Sequence, residues 1–226
     1  MSPDSRTSIE HAQSYRAAFS QMQPTATTAP WLQALRKRAL QEFIDRGFPT
    51  TAEENWRYTD LTCVAQRSFD YLDGSPQERV NDYGAIVEEQ GLQLPNMHAL
   101  VFVNGIYQPD FSPSETLPNG VYVGRFNDLV EQRAEWLERG LGTIADIGDC
   151  RLAALNTAFL NDGAILLTDD DKQLNETLYV LNIAVGHKTT VQPRLLISLG
   201  RGSSATVVEH YLSTGPSFTN AITEIH

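Results

Sequence analysis

Ala164-Ile-Leu-Leu-Thr168, Thr177-Leu-Tyr-Val-Leu-Asn-Ile-Ala-Val185, Arg194-Leu-Leu-Ile-Ser-Leu199, Ala205-Thr-Val-Val-Glu-His-Tyr-Leu212 and Phe218-Thr-Asn-Ala-Ile-Thr-Glu-Ile-His226 form a ladder of strand-like runs with no helical pattern between them. Each run is rich in β-branched and aromatic residues. Each of the first four ends at turn formers: Asp169-Asp170-Asp171, Gly186, Gly200-Arg201-Gly202 and Gly215-Pro216. Two architectures fit, a sandwich of antiparallel hairpins and a β-solenoid whose strands stack one coil apart. Hairpins are usually closed by two-residue Asn-Gly or Asp-Gly turns. The breaks here are longer, as coil corners would be, which tilts the reading slightly towards the solenoid. The last run stops at His226 with an open sheet edge, an arrangement proteins usually cap. A fragment of a longer protein is therefore expected.

Upstream, the pattern is helical. Residues 1–29 hold a weak amphipathic segment (Ile9, Ala12, Tyr15, Phe19) and a linker-like stretch from Gln23, and are expected to be a flexible N-terminal segment. A helix is predicted from Pro30, with Trp31, Leu32, Leu35, Ala39, Phe43 and Ile44 on one stripe, Arg36, Lys37, Arg38 and Glu42 mostly facing away, and Gly47 and Pro49 as its stop. Asp70–Pro76 reads as a turn, and a polar stretch follows to Pro95. A buried strand His98–Val103 then turns at Asn104-Gly105 into Ile106-Tyr107, the strongest hairpin signal in the chain. Gly120–Gly124 is expected in the same small sheet. A helix from Asn127 or Asp128 through Arg139, and another from Arg151 to Asn161, precede the ladder. The expected class is α+β, with an N-terminal α/β domain at 30–150 and a β-core starting at 151–226.

Charge narrows the function. With 17 basic and 28 acidic residues the net charge is −11, which repels nucleic acid and anionic membrane. The basic cluster Arg36-Lys37-Arg38 is diluted by Glu42 and Asp45. No apolar run reaches membrane-spanning length and the first residues carry no secretory pattern, so the cytoplasm is the expected location. Cys63 and Cys150 are far apart and read as free thiols rather than a disulfide.

Candidate chemistry is sparse. His210, His226 and a carboxylate would have to meet on adjacent coils to hold a metal, and a solvent-facing histidine is favoured. Asp169-Asp170-Asp171 resembles a calcium-binding corner, but a solvated turn is the more ordinary reading. In Trp56-Arg57-Tyr58 an arginine stands between aromatics, with Glu53 and Glu54 as partners; the expectation is an anchored loop with packed rings. Cys63 lies near a polar turn, and no activating partner for it is evident in the sequence. Nucleotide-binding and nucleophile-elbow motifs are absent from the sequence. No catalytic residue and no metal ligand is assigned, and cofactor-binding residues stay unknown.

Several stretches together resemble a known family. Gly47-Phe-Pro-Thr50 with Glu53, Glu54 and Trp56-Arg57-Tyr58-Thr59 is similar to the amino-terminal signature of SufD, an iron–sulfur cluster assembly protein. Val101-Phe-Val-Asn-Gly105, Leu155–Leu160 with Asp162 and Gly163, Pro193–Ile197, Ala205–Glu209 and Asn220–Ile225 resemble later segments in the right order. The resemblance implies a helical front domain, then the first coils of a right-handed parallel β-helix. It implies a non-catalytic scaffold subunit of a cytosolic SufB–SufC–SufD complex, linked to iron acquisition. SufB would pair through the β-helix, and the SufC ATPase would bind a carboxy-terminal domain that this chain lacks. The iron–sulfur cluster is then a product of the complex, with no cofactor expected in this chain. None of the family's cluster-assembly residues maps onto Cys63, Cys150 or His210. Two alternatives stand beside this reading: a β-solenoid enzyme acting on polysaccharide, and a β-rich module that self-associates as a homodimer through its open edge.

Overall fold

The computed structural model describes residues 3–22, 29–67, 80–89, 97–112, 116–130 and 132–226. The expected turn at Asp70–Pro76, both ends of the polar stretch that runs to Pro95, most of the linker from Gln23 and the side chain of Ile9 lie outside the described residues; the middle of that stretch, 80–89, is helical.

The chain is α+β. Helices α1 (Pro3–Gln21) and α2 (Pro30–Arg46) open it. Pro30 sits in the first turn of α2, where its missing N–H costs nothing. Gly47 ends the helix at φ 66°, its N–H donating to the Phe43 carbonyl at 2.7 Å. The predicted apolar stripe is buried at Leu32, Ala39, Leu40, Phe43 and Ile44. Arg36 departs from the expected outward face. It is buried, donates from Nε to the Ala158 carbonyl at 2.9 Å, and lies 5.5 Å from the Phe19 ring centroid. Its long stem lets a charged side chain line an apolar seam while its head finds acceptors. Ala12 and Tyr15 of α1 are buried against this seam.

Short helix α3 (Thr62–Ala65) and helix α4 (Val80–Glu89) lead to β1 (Met97–Val103) and β2 (Ile106–Tyr107). The hairpin forms as predicted, with Asn104 at φ 50° and Gly105 at φ 78°, the left-handed pair a tight hairpin turn requires. Strand β3 (Val121–Arg125) does not join that sheet. It pairs antiparallel with β4 (Ala164–Thr168) in another one, because the inner face of β4 offers it an apolar surface at Ala164 and Leu166. The single helix expected over 127–139 is two, α5 (Phe126–Leu129) and α6 (Ala134–Gly140). The chain bends at Arg133 (φ −131°), and Phe126, Leu129, Leu137 and Leu141 all reach one apolar cluster with Ile165 and Leu196. Helix α7 (Arg151–Ala158) follows, almost wholly buried.

From Ala164 the strands repeat in threes. β4, β5 (Gln173–Ala184) and β6 (Thr189–Val191) are followed by β7 (Arg194–Ser198), β8 (Ser204–Ser213) and β9 (Ser217–Thr219), then by β10 (Ile222–Ile225). Each pairs in parallel with the strand three places on. Ala164 meets Leu195, Leu178 meets Val207, Thr190 meets Phe218 and Thr223 meets Leu195. β1 adds in parallel to the other side of β5, and β3 antiparallel to the other side of β4, so the preceding segment extends each of the two four-stranded sheets at one end. Two strand boundaries differ from the sequence reading. Thr189–Val191 is an extra strand, too short for alternation to reveal. The run Phe218–His226 breaks at Asn220, whose side chain turns inward to donate to the Leu152 carbonyl (2.9 Å) and to Gln192 Oε1 (2.7 Å).

The repeat fixes where apolar side chains go. Leu166, Leu178, Val180, Leu195 and Ile197 fill the space between the sheets with Leu100 and Phe102. On the outer faces, Leu181 and Ile183 meet Val87 of α4, and Leu196 meets α6. Each such buried side chain contributes roughly 1.5–3 kcal/mol. No helix among the described residues is long and apolar enough to cross a membrane.

Candidate functional site

The segment that follows α2 is fixed at its base and open at its tip. Phe48 is fully buried, edge-on to Phe43 at 5.0 Å and to Tyr15 at 5.9 Å between centroids. Glu53 accepts the Thr50 N–H at 2.9 Å and forms an ion pair with Arg151 at the start of α7. Arg151 also donates to the Phe48 carbonyl at 3.2 Å. Glu53 thus ties the loop to α7, and Glu54 is the residue that meets Arg57, at 3.7 Å. Of the two acids expected beside Arg57, Glu54 is its partner and Glu53 belongs instead to Arg151.

Beyond this base the expectation of an anchored aromatic loop fails. Trp56 is half-buried in a one-turn 3-10 segment, but Tyr58 is 88% exposed. The Arg57 guanidinium lies 5.2 Å from the Tyr58 ring centroid. Beside the tip is a cavity of about 360 Å³ lined by residues including Arg46, Glu54, Asn55, Trp56, Cys150 and Arg151. Arg46 donates to the Gly148 carbonyl across it. Cys150 is half-buried there, Cys63 is exposed on α3, and both thiols are free.

A second cavity, of about 390 Å³, lies where β1 and β3 start the two sheets; His98, Tyr107, Tyr122, Arg125 and Asp128 are among its lining. Arg125 stacks over Tyr107 at 5.0 Å and pairs with Asp128 at 2.5 Å and with Asp162 at 3.7 Å. Burial pushes the Asp162 carboxyl up to about 6, against the N–H groups of Gly163 and Asn127 that it accepts and against Arg125. Burial, with Asp128 nearby, pushes the Tyr122 phenol up to about 12.

The remaining candidates are dispersed. His210 on β8 shares a hydrogen bond with Tyr179 on β5, their rings T-shaped at 5.9 Å. His226 follows β10 in the other sheet, where its N–H meets the Ile197 carbonyl, so the two histidines are not brought together. The acidic corner packs on the corner one coil later. The Asp171 N–H donates to the Arg201 carbonyl at 2.7 Å, and Asp170 pairs with Arg201 at 3.0 Å. Among the described residues no group of three or more His, Cys, Asp or Glu side chains is arranged to hold a metal ion.

Sequence reasoning missed the buried polar centre. Arg194 and Glu224 form an ion pair inside the protein, and Arg194 also donates to Asn156 Oδ1 at 3.0 Å. The Glu224 carboxylate further accepts the N–H groups of Gly142, Ile144 and Ala145. Burial alone would raise the pKa of Glu224, but Arg194 and the backbone donors outweigh it and hold the carboxyl below its ordinary value. The signal lay in a charged residue at each of two strand positions one coil apart, legible only once the register is known.

Between β8 and β10, the Tyr211 and Thr223 hydroxyls donate to the two oxygens of Glu209, each at 2.7 Å. Glu209 stands in register with Val180, so the polar row replaces an apolar one. Val208, Tyr211 and Ile225 are large apolar side chains exposed here, Ile225 at 61%.

Comparison with known proteins adds two findings. A family model described as the SufBD protein N-terminal region matches residues 9–180. An iron–sulfur cluster assembly SufBD family protein of Synechocystis is 27% identical over 192 residues, covering 79% of this chain and 41% of that protein. The chain therefore spans about 41% of the length of that relative.

Proposed function

This chain belongs to the SufBD family, and on that premise we propose that it is the front part of a SufD-like scaffold subunit in an iron–sulfur cluster assembly complex. The observation that carries the reading is the threefold strand repeat with parallel pairing across two coils, in a chain whose first 180 residues include the family match. In this reading the repeat begins a right-handed parallel β-helix that continues in the whole protein. Residues 30–150 form the front domain and the coils start after 151. The chain works as a scaffold rather than as an enzyme. Its partners are a SufB-type subunit, along the β-helix, and a SufC-type ATPase, through a region outside this chain. A role in supplying iron belongs to the same proposal, as does a cytoplasmic location.

A genetic test is direct. Cells lacking the whole protein should lose activity of iron–sulfur enzymes while the amounts of those polypeptides hold, and the full-length gene should restore it. Unchanged iron–sulfur enzyme activity under iron limitation would overturn the proposal.

A second reading is self-association through the open edge of β8, β9 and β10. The exposure of Val208, Tyr211 and Ile225 favours it. Sedimentation showing a concentration-independent monomer would rule it out.

A further inference from the structure

We propose that Glu209 is one half of an interior ion pair whose cation, a lysine or arginine, is carried by the coil that follows in the whole protein, about 30 residues on. This deepens the reading of the chain as the front part of a longer β-helical scaffold, and rests on it.

The interior changes character at β8 and β10. In the coils before them the inward rows are apolar, with Leu178, Val180, Leu195 and Ile197 packed on Leu100 and Leu166. Residues in register on parallel strands share a face. Glu209 stands beside Val180 and Thr223 beside Leu195, so both point the same way as that core. Their contact spans the two sheets. The Thr223 hydroxyl donates to one Glu209 oxygen and the Tyr211 hydroxyl to the other, each at 2.7 Å. Burial, and then the bond to Glu209, hold the Tyr211 phenol well above its ordinary pKa, so it stays the donor. Both carboxylate oxygens are thus fixed in place, which a solvated surface glutamate does not require.

β8 and β10 are the outermost strands of their sheets. In-register residues along the ladder are 28 to 31 apart in sequence. This chain spans about 41% of the length of its Synechocystis relative. In the scaffold reading the next coil therefore stacks on Glu209 at strand spacing, roughly 4.8 Å, and takes the carboxylate out of water. Two hydroxyls are neutral donors, and a buried carboxylate held by these alone remains costly. The preceding coil supplies no charge, because Val180 is flanked on the same face by Leu178 and Asn182. The cation has to come from the other side. The fold already uses this solution at Glu224, whose buried carboxylate is met by Arg194 on the neighbouring strand. A metal ion would find only one carboxylate and two hydroxyls here.

The test uses the full-length protein. Its sequence is read at the inward positions of the next coil, beside Glu209 and two residues to either side. The lysine or arginine found there is replaced by Met, alone and together with Glu209→Gln. Each single variant should lower the melting temperature by about 5 °C, and the double variant by clearly less than the two losses added. Absence of a lysine or arginine at those positions, or losses that simply add, overturns the ion pair. Hydrogen exchange of the wild-type protein separates this result from failure of the parent reading. Protected edge amides along β8 and β10, with no such cation or with additive losses, overturn the pair and leave the scaffold standing. Edge amides that exchange freely mean that no coil covers Glu209, and both proposals fall.

Discussion

Arg194 and Glu224, thirty residues apart, form an ion pair with side chains 1% and 0% exposed. The pair links β7 to β10 across one coil, and through Gly142, Ile144 and Ala145 it holds the loop after α6 on the same face. Removing one partner leaves the other charge buried and uncompensated. Glu224→Gln should therefore destabilise the protein by about 3–5 kcal/mol in urea unfolding. Arg194→Met with Glu224→Gln, which removes both charges and keeps an acceptor for the Gly142, Ile144 and Ala145 N–H groups, should recover much of that loss. The folded pKa of Glu224 lies below its unfolded value. Its stabilising contribution is thus present above the unfolded pKa and lost as pH falls through the folded one. The acid limb of stability in wild type should be steeper than in the double variant.

Asp162 has the opposite sign. Its folded pKa, about 6, lies above the ordinary carboxyl value because burial disfavours the anion. The unfolded chain then gives up this proton first as pH rises, and the Asp162 contribution falls between about pH 4 and pH 6. Asp162→Asn keeps an oxygen for the Gly163 and Asn127 N–H groups without the charge. It should flatten that pH dependence and raise stability at pH 7 by on the order of 1 kcal/mol. Urea midpoints at pH 5 and pH 7 measure both effects.

Phe48 joins the front loop to α1 and α2 through Tyr15 and Phe43, and to β9 through Phe218. Phe48→Ala leaves a cavity among rings that cannot all collapse, and should cost about 3–5 kcal/mol in the same assay.

Gly200 lies where one coil corner rests on the one before. A Cβ there would collide with the Asp169 carbonyl and the Asp170 nitrogen. Gly200→Ala should destabilise by about 1–3 kcal/mol. Hydrogen exchange should place the loosening at the Asp169–Asp171 corner rather than in the front helices.

The β-ladder was legible because its strands are long apolar runs closed by Gly and Asp turns. β4, β5, β7 and β8 fall close to where the sequence puts them. Thr189–Val191 escaped because three residues between Gly186 and Pro193 show no alternation. The break at Asn220 escaped because its cause is a side chain bonding to Leu152 and Gln192, partners that only the fold brings near. Arg36 was misread for a similar reason. A charged residue on a helix is counted outward, and its acceptor at Ala158 is 122 residues away. At the candidate site, the motif around Trp56 and the pairing of Glu54 with Arg57 were visible, whereas the pairing of Glu53 with Arg151, 98 residues away, was not. That the Tyr58 ring is solvent-facing was not, since aromatic residues in a loop are ordinarily counted as anchors.

The measurement that tests the scaffold account most directly is co-elution in size-exclusion chromatography of the full-length protein with SufB- and SufC-type proteins from the same source, with this 226-residue chain run in parallel. The account predicts a stoichiometric complex containing the full-length protein. Elution of the full-length protein apart from both partners, under conditions where those partners bind each other, would contradict it.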